Sequence, residues 1–390
     1  MKNTILFISL LALILTACSG DDAAEINITI INPDGDTNSN VVTISGVYTE
    51  DLTLDLNTNY VVNGSLIMAE GTTLTVPAGT IVRAAAIGSD VYIAIAQGAR
   101  IIADGTADNP IVFTSNATNP VAGDWGGIIL LGQAPINSTD GTVTSTSEIA
   151  SLPYGGSDIN DDSGILRYVR VEYSGASADG QSENNGFSFY GIGKGTVIEY
   201  IEAYEGRDDG IEFFGGTVDA SYLVVVAAQD DSVDWTEGFS GTLNHIYIQH
   251  GGFHDKGLEA DGYNTDTGNN SAPMYFSNPN VSNVTIKGLW GSVNTEAVRL
   301  RAGTQGSFSN FYIEGFEEGF DLDGDNGDNP TGNWVVSGDL MVNNVTFVNV
   351  DFKLQNDTGV VFSEADFISG DGNGTQTNIA VWGANWTIGL

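Results

Sequence analysis

The stretch Asp209-Gly210-Ile211-Glu212-Phe213 is one copy of a motif that recurs along the chain and decides its fold. The motif reads polar, Gly or small, apolar, polar, apolar. The residues at its Gly position in the first four copies lie 24, 22 and 25 positions apart. A fixed period with occasional long insertions is typical of a solenoid. The copies are Asn185-Gly186-Phe187-Ser188-Phe189, Asp209-Gly210-Ile211-Glu212-Phe213, Asp231-Ser232-Val233-Asp234-Trp235, Lys256-Gly257-Leu258-Glu259-Ala260, Glu296-Ala297-Val298-Arg299-Leu300, Glu318-Gly319-Phe320-Asp321-Leu322 and, more weakly, Val350-Asp351-Phe352-Lys353-Leu354.

A second motif, polar-polar-apolar-polar-apolar, precedes each copy of the first, so each repeat carries at least two short strands. Its copies include Glu199-Tyr200-Ile201-Glu202-Ala203, Asn244-His245-Ile246-Tyr247-Ile248 and Ser309-Asn310-Phe311-Tyr312-Ile313. The two motifs predict an all-β, single-stranded, right-handed parallel β-helix with coils of about 22–25 residues. An antiparallel sandwich is the alternative, but a sandwich does not repeat one motif at a constant period. Long loop insertions are expected at about 134–163, 261–280 and 323–337.

In-register stacking turns equivalent motif residues into columns, because side chains alternate between the two faces of a strand. The apolar motif residues are expected to face inward, and Asn283, Asn310 and Asn344 to be structural corner residues. The polar residues between them are expected to face outward. This outward surface is the candidate ligand face, comprising Tyr190, Glu212, Phe214, Asp234, Glu259 and Asp261. Its aromatic rings would stack on sugars, and its carboxylates form either a solvated ladder or a functional one.

The net charge of the chain limits the classes of molecule that the protein can bind. The chain has 50 acidic and 12 basic residues, which gives a net charge of −38. Such a field repels nucleic acid, anionic membrane surfaces and polyanionic glycans. It is explained either by solubility in a saline habitat or by binding of divalent cations. Carboxylates at alternate positions, as calcium requires, occur at Asp321, Asp323, Asp325 and Asp328. This stretch resembles the start of an EF-hand loop but has Gly332 at the position of the final Glu. No other cofactor is expected.

The N-terminal sequence predicts a targeting segment. Residues 1–17 combine a short positive start with an apolar run too short to span a membrane, and so predict a signal peptide. The run ends in Leu15-Thr16-Ala17-Cys18, which resembles the lipobox of bacterial lipoproteins. Cys18 is the only cysteine in the chain, so lipidation is its expected use. Residues 18–40 are expected to be an acidic tether, followed by a single β-helix domain over 41–390.

The mature chain resembles the β-helical surface lipoproteins of Bacteroidota, which are grouped with pectin-lyase-like proteins. The stretches that carry this resemblance include Gly71-Thr72-Thr73-Leu74-Thr75-Val76-Pro77-Ala78-Gly79-Thr80 and Gly123-Asp124-Trp125-Gly126-Gly127-Ile128. The resemblance implies an outer-membrane lipoprotein exposed on the cell surface and anchored through Cys18. The resemblance to these lipoproteins does not imply any catalytic residues. The expected protein is a monomer that binds a glycan or an extracellular protein and no nucleic acid.

A shorter region, about 209–306, resembles polygalacturonase-type glycoside hydrolases. The resemblance lies in the order Asp209-Gly210, Gln229-Asp230-Asp231, Lys256-Gly257 and Val298-Arg299-Leu300-Arg301. It implies an inverting mechanism in which Asp230 protonates the leaving oxygen and Asp209 and Asp231 activate water. Arg299 and Arg301 would then bind the substrate. The chain departs from the family by placing Lys256 where those enzymes have His.

Two functions from different classes therefore remain open. The first is a non-catalytic surface lipoprotein that presents the acidic, partly aromatic face to a glycan or a partner. The second is an inverting glycoside hydrolase. A polysaccharide lyase using Lys256, Arg299 or Arg301 as base is a weaker third possibility, because the net charge disfavours an anionic substrate.

Overall fold

The computed structural model describes residues 29–30, 41–179, 182–265, 273–289, 296–323 and 330–390. The predicted signal peptide, Cys18 and nearly all of the predicted tether lie outside these residues, as do Asp325 and Asp328. The strands are β1 (Thr29–Ile30), β2 (Val41–Tyr48), β3 (Leu52–Thr53), β4 (Asn59–Met68), β5 (Thr73–Val76), β6 (Ile81–Ala84), β7 (Ile93–Ile95), β8 (Arg100–Asp104), β9 (Ile111–Ser115), β10 (Ile128–Leu131), β11 (Ser145–Thr146), β12 (Pro153–Tyr154), β13 (Gly164–Glu172), β14 (Ser177–Asp179), β15 (Ser182–Glu183), β16 (Phe187–Tyr190), β17 (Val197–Tyr204), β18 (Ile211–Phe214), β19 (Ala220–Val226), β20 (Val233–Thr236), β21 (Thr242–Gln249), β22 (Leu258–Asp261), β23 (Asn280–Lys287), β24 (Glu296–Arg301), β25 (Gly306–Leu322), β26 (Leu340–Asn356) and β27 (Ile368–Asp371).

These strands confirm the predicted parallel β-helix. Strands β10, β16, β18, β20, β22, β24 and the end of β25 pair in parallel one after another and form a sheet that we call face 1. Strands β13, β17, β19, β21, β23, β25 and β26 each contain a bend. The residues just before the bend pair with those of neighbouring coils to form face 2, and the four residues after it pair to form face 3. In the described part of the chain from β16 to β25, successive coils thus pass through faces 1, 2 and 3 in turn.

A column of left-handed residues makes the corner between faces 2 and 3. Seven stacked residues there have φ between 49° and 61°, a region that favours Gly and Asn. Asn283 Nδ2 donates to Asn244 Oδ1 at 2.7 Å, and Asn310 Nδ2 donates to Asn283 Oδ1 at 2.8 Å. The corner asparagines therefore have the structural role expected of them. The column consists of Tyr168, Tyr200, Tyr222, His245, Asn283, Asn310 and Asn344.

The core fills the interior of the coil stack. The apolar motif residues of face 1 are fully buried in two adjacent columns, as their alternation predicts. The last coil departs from the prediction by two positions, because Phe320 pairs with Leu354 rather than Phe352. The true last copy is therefore 352–356. A shift of two preserves the alternation of the strand, so the sequence pattern alone could not reveal it; as a result Phe352, predicted to face inward, is 53% exposed.

The insertions and the C-terminal region depart from the repeat. Strands β11 and β12 form a small hairpin in the first insertion. Three short helices, which the repeat analysis did not predict, are α1 (Thr331–Ser337), α2 (Glu364–Phe367) and α3 (Ile379–Trp382). Among the described residues, no helix is long and apolar enough to cross a bilayer.

Residues 373–390, which we call the C-terminal strap, run back along the outside of face 3. Thr377 N donates to Thr285 Oγ1 at 2.8 Å, and farther along Arg170 Nη1 donates to the Trp386 carbonyl at 2.9 Å. The Trp386 ring is fully buried and meets the Tyr168 and Tyr200 rings edge to face. The strap thereby joins coils that are far apart in sequence.

Candidate functional site

The outward residues of face 1 form the acidic row that the motif predicts. Ser188, Glu212, Asp234, Glu259, Arg299 and Asp321 occupy equivalent positions on six successive coils. Adjacent parallel strands lie about 4.8 Å apart. Glu212, Asp234 and Glu259 are therefore three consecutive carboxylates in the row, with no basic side chain between them.

These three carboxylates lie in a small crevice of about 70 Å³. Ligand pockets usually measure about 300–1,000 Å³, so the crevice is too small for a sugar ring and suits an ion or water. Glu148 and Asn264, which come from two insertions, close its sides. Its other lining residues are Glu212, Phe214, Asp234, Thr236, Glu259, Asp261, Thr265 and Arg301.

Part of this negative charge is neutralised within the protein. Arg301 Nη2 lies 2.8 Å from Glu259 Oε2, and Arg301 Nε lies 2.6 Å from Asp261 Oδ1. Lys256 Nζ lies 3.3 Å from the other oxygen of Glu259 and 2.5 Å from Asp255. Burial alone would lower the pKa of Lys256, but the neighbouring carboxylates outweigh burial and raise it. Glu259 and Asp261 thus have counter-charges on the same face.

Among the described residues, Asp234 makes no ion pair of this kind, although Arg301 opposes part of the rise in its pKa, and Thr236 is uncharged. The Asp234 Oδ1 atom and the Thr236 hydroxyl are both buried, and neither has a hydrogen-bond partner among the described residues. Thr236 is only 5% exposed. A buried polar group without a partner costs about 1–3 kcal/mol, so these two oxygens are candidates for contact with a ligand in the crevice. Burial and the carboxylates of Glu259 and Asp261 raise the pKa of Asp234 well above its ordinary value.

Glu212 extends the uncompensated charge to the preceding coil. Asn185 Nδ2 donates to Glu212 Oε2 at 2.6 Å, which is a neutral partner for a carboxylate. Burial, followed by the carboxylates of Asp234 and Glu148, raises the pKa of Glu212 well above its ordinary value. Oxygens of Asp231, Asp234 and Glu259 all lie within 4.8 Å of one another, as do those of Asp209, Glu212 and Asp234. Asp234 belongs to both groups and lies between Glu212 and Glu259 in the row, so it links the two groups.

The residues predicted to act as hydrolytic bases make structural hydrogen bonds. Asp209 Oδ1 accepts a hydrogen bond from the Asp231 backbone N–H at 2.9 Å. Asp231 Oδ1 in turn accepts one from the Lys256 backbone N–H at 2.6 Å. Both carboxylates are buried, and burial raises the pKa of each well above its ordinary value. They therefore link successive coils at the turn that precedes face 1.

Asp230, the predicted general acid, is only partly buried and belongs to a second acidic group at the same turn. Its oxygens lie within 4.8 Å of those of Glu183 and Asp208, and also of those of Asp209 and Asp231. An inverting hydrolase separates its two carboxyl groups by about 6.5–9.5 Å to admit water. The predicted trio is packed more closely than that. Burial and the carboxylates of Glu183 and Asp230 raise the pKa of Asp208 to about 8.

Arg299, one of the two predicted substrate-binding residues, lies beside the predicted calcium ligands Asp321 and Asp323. Arg299 Nε lies 2.9 Å from Asp323 Oδ2, 3.4 Å from Glu296 Oε2 and 3.7 Å from Asp321 Oδ2. Asp321 and Asp323 thus surround Arg299 on face 1. Burial and the carboxylates of Glu296 and Asp323 raise the pKa of Asp321 to about 7. The other two predicted calcium ligands, Asp325 and Asp328, lie outside the described residues.

Tyr190 and Phe214 are not available to stack on a ligand, contrary to the prediction. They are 1% and 2% exposed, and their rings stack on each other at 3.9 Å. Tyr154 of the first insertion covers Tyr190, with ring centroids 4.8 Å apart. The insertion therefore folds back over this end of face 1 and makes these aromatics a second core.

The sequence prediction missed four residues that line the crevice, namely Glu148, Thr236, Asn264 and Thr265. Thr236 pairs with Phe214 on face 1 and carries no charge that would have singled it out in the sequence. Glu148 and Asn264 lie in insertions, where no repeat signal assigns a position. Only the path of the folded insertions brings them to face 1.

Comparisons with known proteins show similarity mainly in the fold. A family model described as a pectate-lyase like beta helix domain matches residues 46–387. No curated protein matches the chain. The catalytic unit of a thermostable GH87 alpha-1,3-glucanase from Streptomyces thermodiastaticus strain HF3-3 is 9% identical with a TM-score of 0.41, and the alignment covers 88% of this chain and 64% of that unit. A family 28 exopolygalacturonase from Yersinia enterocolitica is 14% identical with a TM-score of 0.18, covering 79% of this chain and 74% of the enzyme. The chain thus spans less than two thirds of the glucanase unit, and at these identities the likeness concerns the fold alone.

Proposed function

The chain belongs to the pectate-lyase-like β-helix family, and from that premise we propose that it is a non-catalytic surface lipoprotein that binds a divalent cation in the face 1 crevice. The observation that carries this proposal is the pair of buried, unpartnered oxygens of Asp234 and Thr236. Both atoms lie among the carboxylates that line the crevice. The cationic side chains at this site, Lys256 and Arg301, already pair with Glu259 and Asp261. A cation would supply the missing partner for both.

The donor set favours a hard cation. Asp234, Glu212 and Thr236 offer carboxylate and hydroxyl oxygens, which are the ligands that calcium and magnesium prefer. When bound, such an ion can accept further oxygen ligands, including the hydroxyl groups of a glycan. These protein residues would hold the ion in the crevice. A glycan bridged through the ion is therefore the ligand class that we propose for this face.

Calorimetry with calcium, magnesium and manganese tests the cation. We expect saturable binding to the wild-type protein and at least about tenfold weaker binding to Asp234→Asn, because the central carboxylate loses its charge. Asp351→Asn removes the same charge from an exposed position and should leave the affinity unchanged. The proposal is wrong if the wild-type protein binds none of the three ions, or if Asp234→Asn binds them as well as the control does.

Two observations support a non-catalytic role. Asp209 and Asp231 hold the backbone of the next coil, and the crevice is too small to receive a sugar ring. The assay is incubation with a panel of neutral and acidic polysaccharides, with and without calcium, read by reducing ends and by absorbance of unsaturated products. Turnover that is lost in Asp230→Asn would instead support the inverting hydrolase.

Surface anchoring through Cys18 is part of the same proposal and rests on the sequence. Cells fed a labelled fatty acid should incorporate label into the wild-type protein but not into Cys18→Ala. Protease added to intact cells should degrade the wild-type protein if it faces outward. Equal labelling of both forms would refute the anchor, and full protection from protease would refute surface exposure.

A further inference from the structure

The outward side of face 2 carries a run of neutral polar residues across five successive coils. One column continues in strict register from Ser221 to Asn343, and a second runs beside it from Thr242 to Ser307. We call these residues the neutral stripe. It consists of Ser221, Asn244, Ser282, Ser309 and Asn343 in the first column and Thr242, Asn280 and Ser307 in the second.

The composition of this stripe is unusual for the chain. The protein has 50 acidic residues in 390, yet the eight stripe residues include no charge. Asn is depleted in strands, where β-branched and aromatic residues pack better. Asn244 Oδ1 accepts hydrogen bonds from Asn283 Nδ2 and Ser282 Oγ, and Asn343 Oδ1 accepts one from Ser369 Oγ, so the two amides also link neighbouring coils.

The stripe is open to a ligand. Its residues are partly or fully exposed, and the hydroxyl groups of Ser221, Thr242 and Ser309 have no protein partner among the described residues. At one end the surface deepens into a groove of about 370 Å³, within the usual range for ligand sites. The groove is lined by Thr196, Val197, Glu199, Asp219, Ser221 and Thr242, among others.

The charges at the groove end restrict the ligand. Glu199 is held by Arg167 at 2.8 Å, and Asp219 accepts the Thr242 backbone N–H at 2.9 Å. The stripe itself contains no Lys or Arg that could neutralise a uronate, sulfate or phosphate. Repeated hydroxyl and amide groups, spaced by the coil separation of about 4.8 Å, match a polymer that offers a hydroxyl group at every unit.

We propose that the neutral stripe and its groove bind a neutral polysaccharide chain laid across the coils of face 2. The site lies on a different sheet from the acidic crevice and needs no cation. It therefore goes beyond the function proposed for face 1.

The test is affinity electrophoresis of the full chain in gels containing neutral glucan, mannan or xylan, with polygalacturonate as the anionic comparison. We expect at least one neutral polymer to retard the wild-type protein and polygalacturonate not to. Ser221→Lys/Ser309→Lys should weaken retardation at least about tenfold, because two long side chains cover the stripe and remove its hydroxyls. Ser221→Ala/Ser309→Ala, which adds no bulk, should weaken it by a smaller factor. Ser157→Lys, at an exposed position away from face 2, is the matched control.

A chelator separates this site from the crevice. Neutral-polymer retardation should persist in EDTA and in Asp234→Asn. Retardation abolished by EDTA would overturn the face 2 proposal and leave that for face 1 standing. Absence of retardation by every neutral polymer, or equal retardation of the Lys pair and the Ser157→Lys control, would also overturn it. Circular dichroism of each variant establishes that the β-helix is intact.

Discussion

Glu202 offers a quantitative test of the C-terminal strap. The side chain lies on the outer side of face 3 and is fully buried beneath the strap, where both carboxylate oxygens accept the Ile388 backbone N–H at 3.1 Å. Burial raises the pKa of Glu202 from 4.5 to about 8. The Ile388 hydrogen bond and nearby Arg170 oppose that rise, and Glu172 adds to it.

The pKa gives the sign and size of the effect. The folded protein holds this proton more tightly than the unfolded chain does, so Glu202 costs no stability below about pH 4.5. The cost grows as pH rises and levels off above about pH 8, where it reaches about 5 kcal/mol at most. Glu202→Gln keeps an oxygen for the Ile388 N–H but cannot ionise, so it removes this cost.

The assay is urea unfolding at pH 4, 7 and 9. We expect Glu202→Gln to match the wild-type protein at pH 4 within about 0.5 kcal/mol and to exceed it by several kcal/mol at pH 9. Glu317→Gln, at an exposed carboxylate, controls for the loss of one negative charge from an acidic chain. The reasoning fails if wild type and Glu202→Gln keep the same stability difference at all three pH values.

Three further substitutions test the contacts that hold the coils. Trp386→Ala should destabilise the protein by about 3–5 kcal/mol in urea, because the ring is fully buried; a change below 1 kcal/mol would mean that the strap is dispensable. Asp209→Ala should lower the free energy of unfolding by about 1–3 kcal/mol, because the Asp231 N–H loses its acceptor. Asp209→Asn should lower it less, because the amide oxygen still accepts this hydrogen bond; equal losses in the two variants would refute the role of Asp209 in linking the coils. Asn310→Ala should cost about 2 kcal/mol, since it strains a backbone at φ 57° and removes the bond to Thr375, and Asn310→Gly should recover about half of that; thermal melts that rank Gly below Ala would contradict this.

Much of the β-helix was predictable from the motif. Parallel strands in register place equivalent residues on top of one another, so the period alone assigned Phe187, Ile211 and Val233 to one buried column. The same logic placed Glu212, Asp234 and Glu259 in one outward row. It also predicted that Asn283 and Asn310 would be corner residues, because asparagine tolerates the left-handed backbone that a stacked corner needs.

The state of each candidate site residue was not predictable in this way. A column states which side chains are neighbours, but it does not state what covers them. Tyr190 and Phe214 face outward from the sheet as predicted and are nevertheless buried, because an insertion without repeat signal returns over them. Asp209 and Asp231 looked like catalytic bases in sequence, yet the turn geometry uses their oxygens to hold the next coil.

The sequence by itself determined the solenoid, its period and the order of side chains along each face, because all three follow from local spacing repeated coil after coil. Only the tertiary structure decided which carboxylates have counter-charges and which lie buried without partners. Those outcomes depend on contacts between distant segments, such as Arg170 with Trp386 and the two insertions with the crevice. Burial and charge at a site are set by everything that packs around it, and a local repeat carries no record of those neighbours.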